Sequence, residues 1–395
     1  MSENPSAQSV DSPGPKPWNR RELAALILLR GLIVWVFLLM CAGGLVRLTG
    51  SGMSIPDWPI ITYGPEHHSI LPPFTDTGWQ TAYDTYHREV IHKKNPGVFL
   101  TMERFQREFW TEYAHRALAK TFALGYLVLL SLTFTSRRLT RMMGSFLLAS
   151  GLVLVAQAIL GGLVVLSHTQ PLKVAIHLTT AFLFSALLLW ATLRTTRMFP
   201  AKVSKPPRVA FWAYVAVAIT LAQVFSGGLM AKARAYEVAP TWPKMFDTWM
   251  PVHAMWTEGY SHPLLNLVQN EVLINFTHRW LSFVVVFLVI ALIARTMTMP
   301  YSRLGRISLR ALGTVLTLQM VLGVMALINL VPLPLGLLHL ATGLMLFWLL
   351  VTLAFELRHS PAIAAHEANR FAARAKHSAT AEATNLERTF EAHPA

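Results

Sequence analysis

Along this chain polar and apolar residues come in blocks. Eight apolar runs, at about residues 23–47, 112–134, 144–166, 172–193, 209–230, 275–293, 311–330 and 335–355, are separated by segments rich in charge, Pro, Gly and aromatic residues. A run of roughly twenty apolar residues, coiled as an α-helix, crosses the hydrocarbon of a bilayer. Eight such runs exceed what a soluble core accommodates. The pattern predicts an all-α polytopic membrane protein of eight transmembrane helices, since a helix satisfies its own backbone in lipid.

Basic residues gather in alternate connections: Arg20 and Arg21 before the first run, Arg137, Arg138 and Arg141 after the second, Lys202 and Lys205 after the fourth, and Arg295, Arg303, Arg306 and Arg310 after the sixth. The positive-inside rule places these connections and both termini in the cytoplasm. Segments 48–111 and 231–274 then lie outside, and the aromatic residues of the first, around Ile55-Pro56-Asp57-Trp58-Pro59, suit the headgroup layer. Domain boundaries follow: a tail 1–22, a first four-helix half 23–193, a linker 194–208, a second half 209–355 and a tail 356–395.

Composition agrees with lipid as solvent. The 395 residues are 53% hydrophobic and 14% charged, against roughly 25% charged in soluble domains. A net charge of +14, from 34 Lys+Arg and 20 Asp+Glu, would suggest nucleic acid on a soluble protein; here it reports topology, and no nucleic-acid partner is expected. The single cysteine, Cys41, lies within the first run, which excludes a disulfide and a thiolate metal site. The stretch before Trp18 carries Glu3 and Asp11, unlike an acidic-poor transit peptide, and the run after it is too long for a cleaved signal. An uncleaved first helix in a bacterial inner membrane is expected.

The chain repeats itself. Gly43-Gly44-Leu45 echoes Gly227-Gly228-Leu229 and Trp58-Pro59 echoes Trp242-Pro243; 227 − 43 and 242 − 58 both give 184. Later the offset shortens, as a longer first outer segment requires. Gln157-Ala158-Ile159-Leu160-Gly161 matches Gln319-Met320-Val321-Leu322-Gly323 at 162, His177 matches His339 at 162, and His115 matches His278 at 163. Two four-helix halves in one orientation are expected, related by a twofold axis along the membrane normal. The glycines at the outer ends of odd-numbered helices permit close helix approach and leave room for a flat ligand.

The repeat puts one histidine, His115, His177, His278 or His339, in the outer half of each even-numbered helix. At about 1.5 Å per residue, His177 is roughly 9 Å past Pro171 and His339 roughly 7 Å past Pro334. Intramembrane ionisable groups mark function, and neutral imidazoles on facing helices can clamp a haem iron. Zinc fits less well, since no cysteine or carboxylate cluster completes a tetrahedral site. The simplest allocation is one pair per half, His115 with His177 and His278 with His339. Arg116 and Arg279, each next to a histidine, could pair with propionates or anchor to headgroups. The outer-segment histidines His67, His68, His87 and His92 are irregularly spaced, which favours solvent exposure over a copper site.

The halves differ. Glu112 precedes His115 by three positions and shares its helix face, whereas Asn275 stands before His278, and Lys120 has Phe283 as its mate. A carboxylate beside one site only suggests charge or proton chemistry there. The competing role for Glu112 is a helix-start charge favoured by the macrodipole. A dihaem cytochrome b-type electron carrier accounts for the histidines but not for Glu112, and a repeat-built transporter would bind no pigment.

Gly43-Gly44-Leu45-Val46-Arg47-Leu48-Thr49-Gly50-Ser51-Gly52, Glu112-Tyr113-Ala114-His115-Arg116, Thr277-His278-Arg279 and the histidine helices four and eight give the chain from Arg21 to Phe355 a family likeness. It resembles haem A synthase, the membrane enzyme that oxidises a ring methyl of haem O to the formyl group of haem A for cytochrome oxidase. The resemblance implies an eight-helix bundle of two halves, a permanent haem b between His278 and His339, and the substrate haem O flanked by His115 and His177. It also implies that Glu112 acts in the oxidation. Further implied partners are membrane lipid, the haem O synthase and cytochrome oxidase assembly factors; a homo-oligomer is compatible with it. Gram-positive members carry cysteine pairs in the outer loops, and their absence here places the sequence nearer the proteobacterial and mitochondrial branch.

Overall fold

Eight long helices account for the apolar runs: Arg20–Thr49, Met102–Phe134, Arg137–Leu166, Pro171–Thr196, Arg208–Lys232, Glu271–Thr296, Arg303–Ile328 and Leu333–His359, here called the first to eighth spans. The computed structural model describes residues 17–58, 61–63, 67–69, 71–88, 100–196, 207–256, 262–366, 368–369 and 372. Glu3, Asp11, Pro59, His92, Lys202, Lys205 and most of both tails lie outside the described residues.

Local chemistry fixes the helix ends. Asn19 and Glu22 open the first span with a reciprocal capping box, at 2.9 and 3.1 Å. Gly50, at φ 76°, closes it in the left-handed conformation that glycine adopts without a Cβ clash. Ser136 caps the start of the third span, a short helix Arg137–Leu139 that continues through a π-helical turn, Thr140–Gly144, into the helix Ser145–Leu166. Its Oγ also donates to Glu22 Oε1 at 2.7 Å. Ser302 caps the seventh span and donates to Glu356 Oε1 at 3.1 Å. The two buried glutamates thus tie helix starts to neighbouring spans.

Several spans run further than their apolar cores. The second begins at Met102 rather than near 112, because its first turns bury Phe105 and Phe109 against Met53, Ile55, Ala82 and Tyr86 of the preceding segment. That segment carries a two-stranded antiparallel hairpin, Ile61–Tyr63 with His67–Ser69, and a helix, Asp76–Tyr86. Several of its aromatic residues pack on those that open the second span, while Trp58 and Phe74 stay exposed. The Trp79 and Phe109 centroids are 5.1 Å apart and those of Tyr86 and Phe105 5.2 Å apart. His87, expected in solvent, is half-buried. Arg303, Arg306 and Arg310 lie within the seventh span rather than in a turn.

The first, fourth, fifth and eighth spans form the centre. The first and the fifth each pack on both the fourth and the eighth, which also touch each other; the second lies on the first, the third on the fourth, the sixth on the fifth and the seventh on the eighth. Lipid is as apolar as the side chains, so close packing rather than hydrophobic exclusion holds such helices together. Where the fourth and fifth spans meet, a Cβ on Gly228 would lie 2.8 Å from Ala175 Cα, so the approach requires glycine. Successive spans alternate in direction, and the long connections before the second and sixth spans emerge at the same end of the bundle.

Candidate functional site

Each even-numbered span carries one of the four histidines in the half nearer that loop end, and each imidazole rests against a glycine of the preceding span. A Cβ built on Gly43 would lie 3.1 Å from His115 Cε1, on Gly161 3.3 Å from His177 Cε1, on Gly227 3.0 Å from His278 Cε1 and on Gly323 2.9 Å from His339 Cε1. The glycines are therefore seats for the rings as well as points of helix approach. His115 lies within electrostatic reach of His177, and His278 of His339. That reach is compatible with one pair per half.

Among the described residues, the buried Nδ1 atoms of His115, His177 and His339 have no hydrogen-bond partner. A bare buried nitrogen costs about 1–3 kcal/mol, a cost that a ligand on that nitrogen would remove. Two facing neutral imidazoles are a suitable donor set for the iron of a flat macrocycle. The four histidines could accordingly hold two such groups.

At the mouth of the first half, Glu112 is buried one turn from His115. Its Oε2 accepts from Ser54 Oγ at 2.9 Å and from the Ile55 backbone N–H at 3.0 Å, while Oε1 pairs with Arg116. Arg116 donates onward to the carbonyls of Asp57 and Ile55, both at 2.6 Å. Carboxylate and guanidinium together clamp the segment after the first span onto the second. Ten residues of helix precede Glu112, from Met102 to Thr111, so the macrodipole of a helix start does not explain its charge.

The second half builds the same clamp without an acid. Asn275 Oδ1 accepts from Arg279 Nε at 2.6 Å and its Nδ2 donates to the Ala235 carbonyl at 2.7 Å. Arg279 also donates to the carbonyls of Ala239 and, at 2.7 Å, Thr241. Arg116 and Arg279, the residues weighed as propionate partners or headgroup anchors, each hold an outer segment by its backbone carbonyls. Lys120 is exposed, and Phe283, its mate, stacks on Trp242 at 5.6 Å.

Sequence reasoning gave no role to three glutamines that touch the histidines. Gln157 Nε2 is 3.4 Å from His177 Nε2, Gln223 Nε2 is 3.2 Å from His278 Nδ1, and Gln319 Nε2 is 3.4 Å from His339 Nε2. Each glutamine stands one helical turn before the glycine that seats the same ring. The recurring Gln-x-x-x-Gly spacing was the available signal.

Comparison with known proteins places this geometry. The chain is 32% identical over 319 residues to a heme A synthase of Methylorubrum extorquens, covering 78% of this chain and 80% of that protein. It is 32% identical over 337 residues to one of Methylobacterium radiotolerans, covering 81% and 86%. To one of Rhizorhabdus wittichii it is 28% identical over 347 residues, covering 85% and 93%. The family model described as cytochrome oxidase assembly protein, COX15-CtaA, matches residues 26–351, from the first span into the eighth. The chain therefore belongs to the COX15-CtaA family of cytochrome oxidase assembly proteins.

Proposed function

We propose that the chain is a haem A synthase, oxidising the ring methyl of haem O to the formyl group of haem A in a bacterial inner membrane. Residues 23–193 form the substrate half, where His115 and His177 flank haem O. Residues 209–355 form the second half, where His278 and His339 hold a resident haem b. Exchanging spans one to four with spans five to eight maps the packed helix pairs onto themselves, which supports two repeated halves. Both termini are cytoplasmic in this reading and the haem sites lie toward the outer face.

One observation carries the reading: the first half alone sets a carboxyl group, that of Glu112, one turn before its histidine where the second half has Asn275, and holds it buried between Ser54, the Ile55 N–H and Arg116. When bound, the resident haem supplies a one-electron carrier. Methyl to formyl is a four-electron oxidation in two rounds, methyl plus water to alcohol and alcohol plus water to a gem-diol that loses water, each round giving up two protons and passing two electrons to an acceptor outside this chain. Glu112 either holds negative charge beside the carbon being oxidised or takes a proton from the attacking water. Ser54, the Ile55 N–H and Arg116 keep its carboxyl group in place. Clamped above the site, the segment from Ser54 to Asp57 limits water at that mouth.

The test is extraction and mass analysis of the pigment from protein purified out of haem O-producing cells. Haem O, its alcohol or haem A alongside haem b is expected. Haem b alone at two per chain would favour an electron carrier and overturn the proposal.

A further inference from the structure

Trp58 and Trp242 hold matched positions in the two clamped segments, yet their side chains go to different spans. Trp242 turns onto the sixth span, the same helix whose Arg279 holds its segment. Its ring stacks on Phe283 with centroids 5.6 Å apart, and Phe283 meets Trp280 at 5.7 Å. In the second span the mates of Phe283 and Trp280 are Lys120 and Ala117, which offer an indole no ring to stack on. The third span offers a place instead. A Cβ built on the buried Gly162 would lie 2.8 Å from Cδ2 and Cε3 of Trp58, so the indole lies where any side chain at that position would stand. The mate of Gly162 in the seventh span is Val324, which fills that place. One difference between the halves removes the shelf on the second span, and the other opens a seat on the third.

The result is a bridge that the second half lacks. The Asp57 carbonyl accepts from Arg116, which adjoins His115, and the next residue, Trp58, sits on Gly162, which adjoins the glycine seat of His177. The indole therefore lies at the depth of the first-half imidazoles. Close backbone approaches between the second and third spans fall at their cytoplasmic turn, Arg137–Gly144. Further out, Tyr126 Oη meets Ser150 Oγ at 2.6 Å. From Ser150 to Gly162 the third span rises about 18 Å, at about 1.5 Å per residue. Trp58 closes the outer end of this gap and is 41% exposed, so part of its indole is free to meet a ligand.

Haem O carries a long prenyl chain and travels in lipid, so its site must open sideways into the bilayer. A resident haem b has no such chain and stays in place. We propose that Trp58 is the outer wall of the substrate site: its indole contacts the macrocycle held in the first half, at the opening between the second and third spans through which a prenylated haem passes to and from lipid. Trp242, stacked on the sixth span, has no such contact with the macrocycle of the second half. The inference rests on the proposed haem A synthase reading.

The experiment uses the full chain, purified with its pigments into detergent from haem O-producing cells. With benzoylphenylalanine in place of Trp58, ultraviolet light should attach a pigment with the mass of haem O, its alcohol or haem A at position 58. The same replacement of Trp242 should attach none. In parallel, transfer of each pigment to excess apomyoglobin is followed by absorbance. Trp58→Ala should speed transfer from the first half about 2–10-fold, the worth of one aromatic contact, and Trp58→Phe should stay near the parent rate. Gly162→Ala, which drives a methyl group into the indole, should speed it as well, and haem b transfer should not change in any of the three. The absence of a pigment adduct at position 58, or equal adducts at 58 and 242, overturns the inference. If the photoreactive variants fail to accumulate, parent-like transfer in both Trp58→Ala and Gly162→Ala overturns it. A haem b adduct at position 58, in protein that carries no prenylated haem, refutes the synthase reading instead.

Discussion

Substitutions at Glu112 separate a structural clamp from chemistry. In Glu112→Ala the Ile55 N–H and Ser54 lose their acceptor, and Arg116, whose side chain is 12% exposed, loses its counter-charge. Breaking a buried pair costs about 3–5 kcal/mol. Two backbone carbonyls still accept from Arg116, which points to the lower end, about 3 kcal/mol. Glu112→Gln keeps an acceptor oxygen, and the second half shows that an amide can serve: Asn275 holds Arg279 at 2.6 Å. Neutral hydrogen bonds are roughly half as strong as charged ones, so about 1–2 kcal/mol should be lost and the segment should stay clamped. The assay pairs proteolytic nicking and thermal unfolding in detergent with haem A yield from haem O-producing cells. Glu112→Gln should resist protease and keep haem b but make little haem A; Glu112→Ala should unfold at lower temperature than either. Full haem A yield from Glu112→Gln would refute a chemical role for the charge, and an Ala variant as stable as the Gln variant would refute the clamp arithmetic.

Three further outcomes are expected. Gly227→Ala and Gly323→Ala would put a methyl group 3.0 and 2.9 Å from the Cε1 atoms of His278 and His339. Haem b per chain should fall in both; parent-like haem b content in either variant would contradict this. Arg279→Gln leaves the carbonyls of Ala239 and Thr241 without their donor and should expose the segment 235–244 to protease while the first-half clamp, at Arg116, holds. Burial, aided by Glu108, pushes the Tyr86 phenol up to about 12. Its folded pKa is raised, so its stabilising effect is complete below about pH 10 and is lost as pH rises toward 12. The fluorescence of the neighbouring Trp79 and Trp110 should report loosening of the outer segment in that window, and Tyr86→Phe should abolish that step.

The number of spans was legible because lipid leaves the backbone no alternative to the helix. Their ends were not. Met102 starts the second span ten residues early because Phe105 and Phe109 find a small core of their own, a tertiary fact with no periodic mark in a mixed polar stretch. The four histidines stood out as ionisable groups among apolar residues, and Glu112 by contrast with Asn275. Its partners did not stand out. One of them is the Ile55 backbone N–H, which every residue but proline offers, so nothing in the side-chain sequence distinguishes it. The glutamines lay between these extremes: aligned by the repeat, but neutral, so that a contact with a ring could be assigned only once the helices were packed.

Repetition is what turns these small differences into an argument. In an unrepeated bundle, a leucine near a histidine would be unremarked packing and a glutamate near another an isolated polar group. Here each has counterparts on the same scaffold, Leu39 against Gln157, Gln223 and Gln319, and Glu112 against Asn275. The shared features, a glycine seat and an arginine that holds a loop by its carbonyls, serve whatever both halves must do: position a pair of imidazoles beneath a closed outer segment. The departures should then mark what one half does alone. Both departures fall in the first half, Glu112 one turn before His115 and Leu39 one turn before the glycine that seats it.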